Sequence, residues 1–124
     1  LRFIKGSHID QKLKSHNINN DKNLTLNQEL MKEEYDEKKA VNLILKRGQI
    51  SLHDVYLVHG SEANNSPNAR RAITMRFMPT SSRYDHQLAK DEKLFSKLNA
   101  NKFSDRKIYH MRGIDVSGKN NLTY

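Results

Sequence analysis

The sequence predicts an all-β fold, a sandwich or jelly roll with one or two short peripheral helices. Two observations carry the prediction. Apolar runs rich in β-branched and aromatic residues are short, and turn chemistry separates them. Stretches with helical period are few and thin.

Taken in order, residues 1–4 (Leu-Arg-Phe-Ile) form a first strand that Gly6-Ser7 ends. Residues 9–23 are polar, Asn-rich and without period, and so read as a surface excursion. Residues 29–39 are the best local helix candidate: Asn27 can cap it, and Glu29, Glu33 and Glu34 suit its positive end. Its apolar residues, Leu30, Met31 and Tyr35, are too sparse for more than a surface position. Residues 41–45 are strand-like, and Arg47-Gly48 is a turn. Residues 50–53 and 55–59 read as two strand segments with a bend or bulge at Asp54. Residues 72–77 form a further strand stopped by Met78-Pro79. A short helix over 90–98 would put Leu94, Phe95 and Leu98 on one side, and 107–111 make a last strand. There is no internal repeat.

Composition narrows the function classes. At 124 residues the chain is at most one small domain. With 35% apolar and 29% charged residues its core must be modest. It has no cysteine, which excludes disulfide staples, zinc thiolates and thiol catalysis. No apolar run reaches membrane-spanning length and no signal-peptide pattern opens the chain, so the expected location is cytoplasmic and no membrane partner is expected. Leu1 in place of an initiator methionine suggests a processed product or a fragment. The net charge of +8, from 22 Lys+Arg against 14 Asp+Glu, raises a basic nucleic-acid-binding module as one alternative. The basic residues are spread evenly, however, with no cluster denser than Lys38-Lys39 or Arg70-Arg71, which favours a generally basic surface. A metal-free jelly-roll interaction domain is the other alternative.

The chemistry concentrates between residues 55 and 75. The run Val55-Tyr56-Leu57-Val58 ends in His59-Gly60-Ser61, and Arg70-Arg71-Ala72-Ile73 begins after a loop containing Asn64, Asn65, Ser66, Pro67 and Asn68. If the two runs pair antiparallel, His59 and Arg70 lie within roughly 5–7 Å of one another. An imidazole for a metal and a guanidinium for a carboxylate suit a keto-diacid such as 2-oxoglutarate. Its keto-acid end chelates Fe(II), and its distal carboxylate favours a bidentate arginine. Ser61 can add a hydroxyl donor to that carboxylate.

His59-Gly60-Ser61, Asn65-Ser66 and Arg70-Arg71-Ala72-Ile73 resemble the distal half of the phytanoyl-CoA dioxygenase family of Fe(II)/2-oxoglutarate oxygenases. Residues 1–8 resemble the family's strand ending in Pro-Gly-Ser/Thr-His, with Lys5 where proline is usual, and residues 46–53 resemble its Gly-turn strand. The resemblance implies a double-stranded β-helix (cupin-like, incomplete here), with His59 as distal iron ligand and Arg70 and Ser61 holding 2-oxoglutarate. It also implies molecular oxygen and a small organic substrate as partners, with ascorbate as an accessory. Strand alternation lets only one of Arg70 and Arg71 face His59, and the match favours Arg70.

The other histidines have plainer readings. His53 lies six residues before His59, about 20 Å along a straight strand, so one metal takes both only if the chain folds sharply at Asp54. His53 is therefore expected to be a partly buried, hydrogen-bonded strand residue, with a pocket wall as the alternative. His16, His86 and His110 are expected on the surface. Ser7-His8-Ile9-Asp10 contains a literal His-x-Asp, which with His59 and Arg70 could read as a complete site. In the family the Gly-Ser-His strand follows the liganding His-x-Asp, which makes this one coincidental. The expectation is then that two iron ligands precede Leu1, and that the chain is the C-terminal part of one oxygenase domain with little or no turnover alone.

Overall fold

A computed structural model describes residues 1–22, 28–90 and 103–124. Its contacts divide the chain into two compact units, Leu1–Arg71 and Ala72–Tyr124. The described residues hold short strands and 3-10 turns, without an α-helix and without a closed barrel.

In the first unit, β1 (Arg2–Ile4) is the centre of a three-stranded antiparallel sheet between β4 (Ala40–Asn42) and β5 (His59–Gly60). Phe3 is opposite Val41 on one side and His59 on the other. Phe3 and Ile4 favour the pleat, and Gly6 ends it at φ +77°, a conformation that a side chain disfavours. At that end the Ser7 hydroxyl donates to the Ile4 carbonyl at 2.8 Å and accepts from the Val58 amide at 2.8 Å. Ile4 N–H donates to the Val58 carbonyl at 3.0 Å. Both backbone groups of Val58, the buried apolar residue of this unit, are thereby tied to the end of β1.

A separate ribbon pairs β2 (His16–Ile18) with β3 (Gln28–Leu30), antiparallel, with Asn17 opposite Glu29. This corrects two expectations, the featureless excursion over 9–23 and the helix over 29–39. In place of the helix, β3 is followed by 3-10 turns at Lys32–Glu34 and Glu37–Lys39. Three apolar residues offered no stripe to pack, so propensity alone would have had to hold it. The acidic side chains found other work: Glu34 accepts the Ser15 amide at 2.9 Å, and Asp36 caps the second turn through Lys38 N–H. Asn27 lies outside the described residues.

The turn at Arg47-Gly48 is present, with Gly48 at φ +84° and Gln49 N–H on the Lys46 carbonyl. Of the two strand segments expected over 50–53 and 55–59, only His59 lies in a strand, at the start of β5, and residues 50–58 are outside any strand. Asp54 makes a tight turn there, its carboxylate accepting Tyr56 N–H at 2.8 Å and its carbonyl accepting Leu57 N–H at 3.1 Å. The expected bend is real, and it is sharp enough to dissolve the strands on either side.

In the second unit, β6 (Ile108–Tyr109) runs parallel to β7 (Leu122–Thr123). β6 answers to the strand expected over 107–111. Residues 72–77, also expected as a strand, pair with nothing among the described residues, and Ile73, Met75 and Phe77 are exposed. Of the helix expected over 90–98, only a 3-10 turn at Leu88–Lys90 falls within the described residues. Polar contacts organise this unit. Asn120 donates to the Ser82 carbonyl and accepts Tyr84 N–H, and Tyr84 O–H donates to the Phe103 carbonyl at 2.8 Å. The Asp115 carboxylate accepts the Ser117 hydroxyl at 2.6 Å, Ser117 N–H, and both the backbone and side-chain N–H of Asn120.

Two expected outcomes follow from these clamps. Ser7→Ala removes two hydrogen bonds, one that ties off β1 and one that satisfies Val58 N–H, and should destabilise the chain by about 1–2 kcal/mol in urea unfolding. Hydrogen bonding from Ser117, then Asn120, holds the Asp115 carboxyl below its usual range. Because the folded value is depressed, this stabilisation is complete above the unfolded carboxylate value near ~4 and is lost as pH falls through the lower folded value. The amide resonances of Ser117 and Asn120 should therefore move together at a pH below that at which a free carboxylate titrates, and in Asp115→Asn that acid step should vanish.

Candidate functional site

The site is built at the end of β5. Val58 is held inside by its two backbone hydrogen bonds, so the next residue, His59, is delivered to the exposed face. Its ring is oriented by its own chain: Nδ1 lies 2.6 Å from the Leu57 carbonyl oxygen. A carbonyl can only accept, so in the neutral ring Nδ1 carries the proton and Nε2 keeps the lone pair. A backbone carbonyl fixing the tautomer in this way is the usual arrangement around a metal-binding imidazole.

Gly60 then carries the chain to Ser61, and the loop beyond closes on itself. Asn64 donates to the Asn68 carbonyl at 2.7 Å and accepts the Ser66 hydroxyl at 2.8 Å. That closure returns Arg70 to the start of the loop, where Nη2 donates to Ser61 Oγ at 3.1 Å and Nη1 donates to the Glu62 carbonyl at 3.1 Å. The expected antiparallel pairing of the His59 and Arg70 runs is absent. β5 pairs with β1 instead, and Arg70 reaches back by side chain alone. Arg70 and Ser61 are brought together as the sequence suggested, and it is Arg70, not Arg71, that makes the contact.

The charges around the loop are unequally matched. Arg2 of β1 is held between Glu37 at 2.6 Å and Glu62 at 2.5 Å. Arg70 has no carboxylate partner among the described residues, and its two hydrogen bonds leave further guanidinium N–H groups available. Ser61, accepting from Arg70, still has its own proton to donate. A guanidinium with N–H groups to spare beside a free hydroxyl proton has the donor chemistry that suits a carboxylate.

His53 corrects its expectation. It is exposed rather than half-buried in a strand, and its ring centroid lies 4.9 Å from that of His59, tilted by 59°. The Asp54 turn brings it there. The signal in the sequence was Asp54 itself, whose side chain closes turns by accepting an amide two residues on.

His8 and Asp10 are not assembled with His59 into a metal site. Asp10 is engaged by Lys14 Nζ at 2.7 Å and by Lys12 N–H, and the Lys14 hydrogen bond holds its carboxyl below the usual range. His8 Nδ1 is buried without a hydrogen-bond partner. Among the described residues no three His, Asp or Glu side chains converge in a way that could hold a metal ion. The remaining histidines divide. His16 is exposed on β2, as expected, whereas His86 and His110 are half-buried, His86 with Nδ1 at 2.9 Å from the Ser104 carbonyl and His110 packed edge-on against Tyr124. A cavity of about 370 Å³ in the first unit, reaching from Ile4 and Val58 to Tyr35, includes none of His59, Ser61 and Arg70. Two of its charged residues, Asp10 and Lys14, already neutralise each other.

The sequence model of the phytanoyl-CoA dioxygenase (PhyH) family matches residues 1–72, more than half of the chain. The chain belongs to this family. The match ends within one residue of the first compact unit, so family and geometry mark out the same segment, the one carrying His59, Ser61 and Arg70. The phytanoyl-CoA dioxygenase family comprises, in general, 2-oxoglutarate-dependent oxygenases that use Fe(II). No curated protein and no solved structure matches the chain. Among the described residues no helix is long and apolar enough to cross a membrane.

The tautomer can be observed directly. In nitrogen-resolved spectra of the neutral His59 ring, Nδ1 should appear protonated and Nε2 unprotonated; the reverse assignment would remove the structural reason for reading Nε2 as a free ligand atom.

Proposed function

We propose that this chain supplies the distal half of an Fe(II)- and 2-oxoglutarate-dependent dioxygenase site that hydroxylates a C–H bond of a small organic substrate. The single observation behind the reading is the counter-ion-free Arg70 guanidinium in hydrogen-bond contact with Ser61, two residues beyond a histidine whose lone pair is freed by its own backbone. The family supplies the cofactor and the reaction class.

The fit to the metal is partial within these residues. His59 provides one imidazole nitrogen, where a facial triad needs two histidines and a carboxylate. In this reading the chain is the C-terminal part of a double-stranded β-helix domain, and the other two ligands come from polypeptide outside it. The bound ferrous ion and 2-oxoglutarate, with molecular oxygen, supply the oxidising power for hydroxylation.

The chain's own residues position. Arg70 takes the distal carboxylate through the N–H groups that Ser61 and Glu62 leave free, and Ser61 donates its hydroxyl proton to the same carboxylate. Arg2 neutralises Glu62, which keeps that acid from competing for Arg70. The Leu57 carbonyl holds the imidazole plane, so that Nε2 would offer its lone pair to a metal from one ring orientation. The arrangement spends binding energy on the end of the cosubstrate that does not react, which orients the end that does.

The test is anaerobic titration of the chain with 2-oxoglutarate in the presence of Fe(II). Replacing Arg70 by Ala removes a charged, multidentate contact and should weaken 2-oxoglutarate about tenfold to a hundredfold, with metal binding largely unchanged. Arg71→Ala should behave as wild type. Retained affinity in Arg70→Ala would overturn the assignment.

A further inference from the structure

We infer that His53 and His59 together form a two-imidazole site for a first-row divalent cation of the kind that prefers nitrogen, Ni²⁺, Cu²⁺ or Zn²⁺. The inference stands on the placement of the two rings and shares only His59 with the function proposed above.

The geometry is that of a chelating pair. A ring nitrogen about 2.0–2.1 Å from a metal places the ring centroid about 3.2 Å from it. Two such centroids 4.9 Å apart subtend about 100° at the metal, between the cis angle of an octahedral site and the angle of a tetrahedral one. The rings are tilted by 59° rather than stacked face to face, so neither ring covers the other's full face.

Each ring is also suited to its part. His59 has Nδ1 committed to the Leu57 carbonyl, which leaves Nε2. His53 carries no hydrogen bond among the described residues, so it can rotate at low cost to present either nitrogen. Both side chains are exposed, which leaves the rest of the coordination sphere to water. The separation is set by the Asp54 turn, which two hydrogen bonds close before any metal arrives, so little chain entropy opposes chelation. Two neutral imidazoles favour borderline cations and offer little to Mg²⁺ or Ca²⁺, which require oxygen ligands.

Calorimetric titration of the 124-residue chain with Ni²⁺, and with Mg²⁺ as the hard-cation control, tests the site. One equivalent of Ni²⁺ should bind and Mg²⁺ should not. His53→Ala and His59→Ala should each weaken Ni²⁺ by roughly a hundredfold, the loss expected when a linked pair of ligands becomes a single one. Both positions are exposed, and unchanged circular dichroism will show that the variants fold as the parent does. Wild-type Ni²⁺ affinity in His53→Ala would overturn the pair while leaving His59 as a lone ligand. Equal affinity in both variants and the parent would place the ion on another histidine and overturn the site altogether. Loss of 2-oxoglutarate binding with the two-histidine dependence intact would sink the oxygenase reading and leave this one standing.

Discussion

Val58 has its amide and its carbonyl taken by two different residues of one turn, Ser7 and Ile4. That double hold is a constraint on position and on orientation together. A residue whose two backbone groups are fixed cannot rotate about its strand axis, so the side chains on either side of it are assigned to defined faces. His59 is the next residue, and its exposure follows from Val58's burial by the alternation of a strand. The tether costs the fold only one serine hydroxyl and the turn at Gly6. The exposed position of His59 depends on it.

The rest of the molecule relies on similar local bonds more than on a core. Val58 and Ala89 are the buried apolar residues among those described, while Ile44, Leu52 and Ile73 are each more than 85% exposed. Where so little apolar surface is removed from water, hydrogen bonds worth about 1 kcal/mol apiece decide which conformation is kept. Asp54, Asp115 and Asn64 each close a turn by accepting amides or hydroxyls nearby, and each sits where the chain must reverse. In this protein the side chains that shape the backbone are mostly polar ones.

That balance explains what could be read from the residues alone. The first strand, the Gly48 turn and β6 were legible because their residue types and boundaries agree, whereas β7 was not foreseen. The contact of Ser61 with Arg70 was legible as chemistry, although its expected cause, a paired hairpin, was not the one realised. The helix over 29–39 was misread because acidic residues that favour a helix start also serve as acceptors across a ribbon, as Glu34 does for Ser15. The strands over 50–53 and 72–77, and all but the final residue of the one over 55–59, were misread because β-propensity marks residues that fit a pleated surface, and supplies no neighbour to pair with. His53 was misplaced for a different reason: a distance along a straight strand was applied across a residue whose side chain bends the chain.

The loop between Ser61 and Arg70 is fastened at both feet. Glu62 is gripped by Arg2 of the sheet, and Arg70 is bonded to Ser61 and to the Glu62 carbonyl. Between them Asn64 bonds the Asn68 carbonyl and the Ser66 hydroxyl, which closes the loop from within. Chain inserted there would lengthen an already closed excursion, at about 0.6 kcal/mol for each doubling. Length added outside the Asn64–Asn68 closure therefore leaves the grip beneath in place, whereas loss of Asn64 would loosen it. The scaffold thus carries a tethered arch pinned at its crown as well as at its footings, with slack only where the two meet.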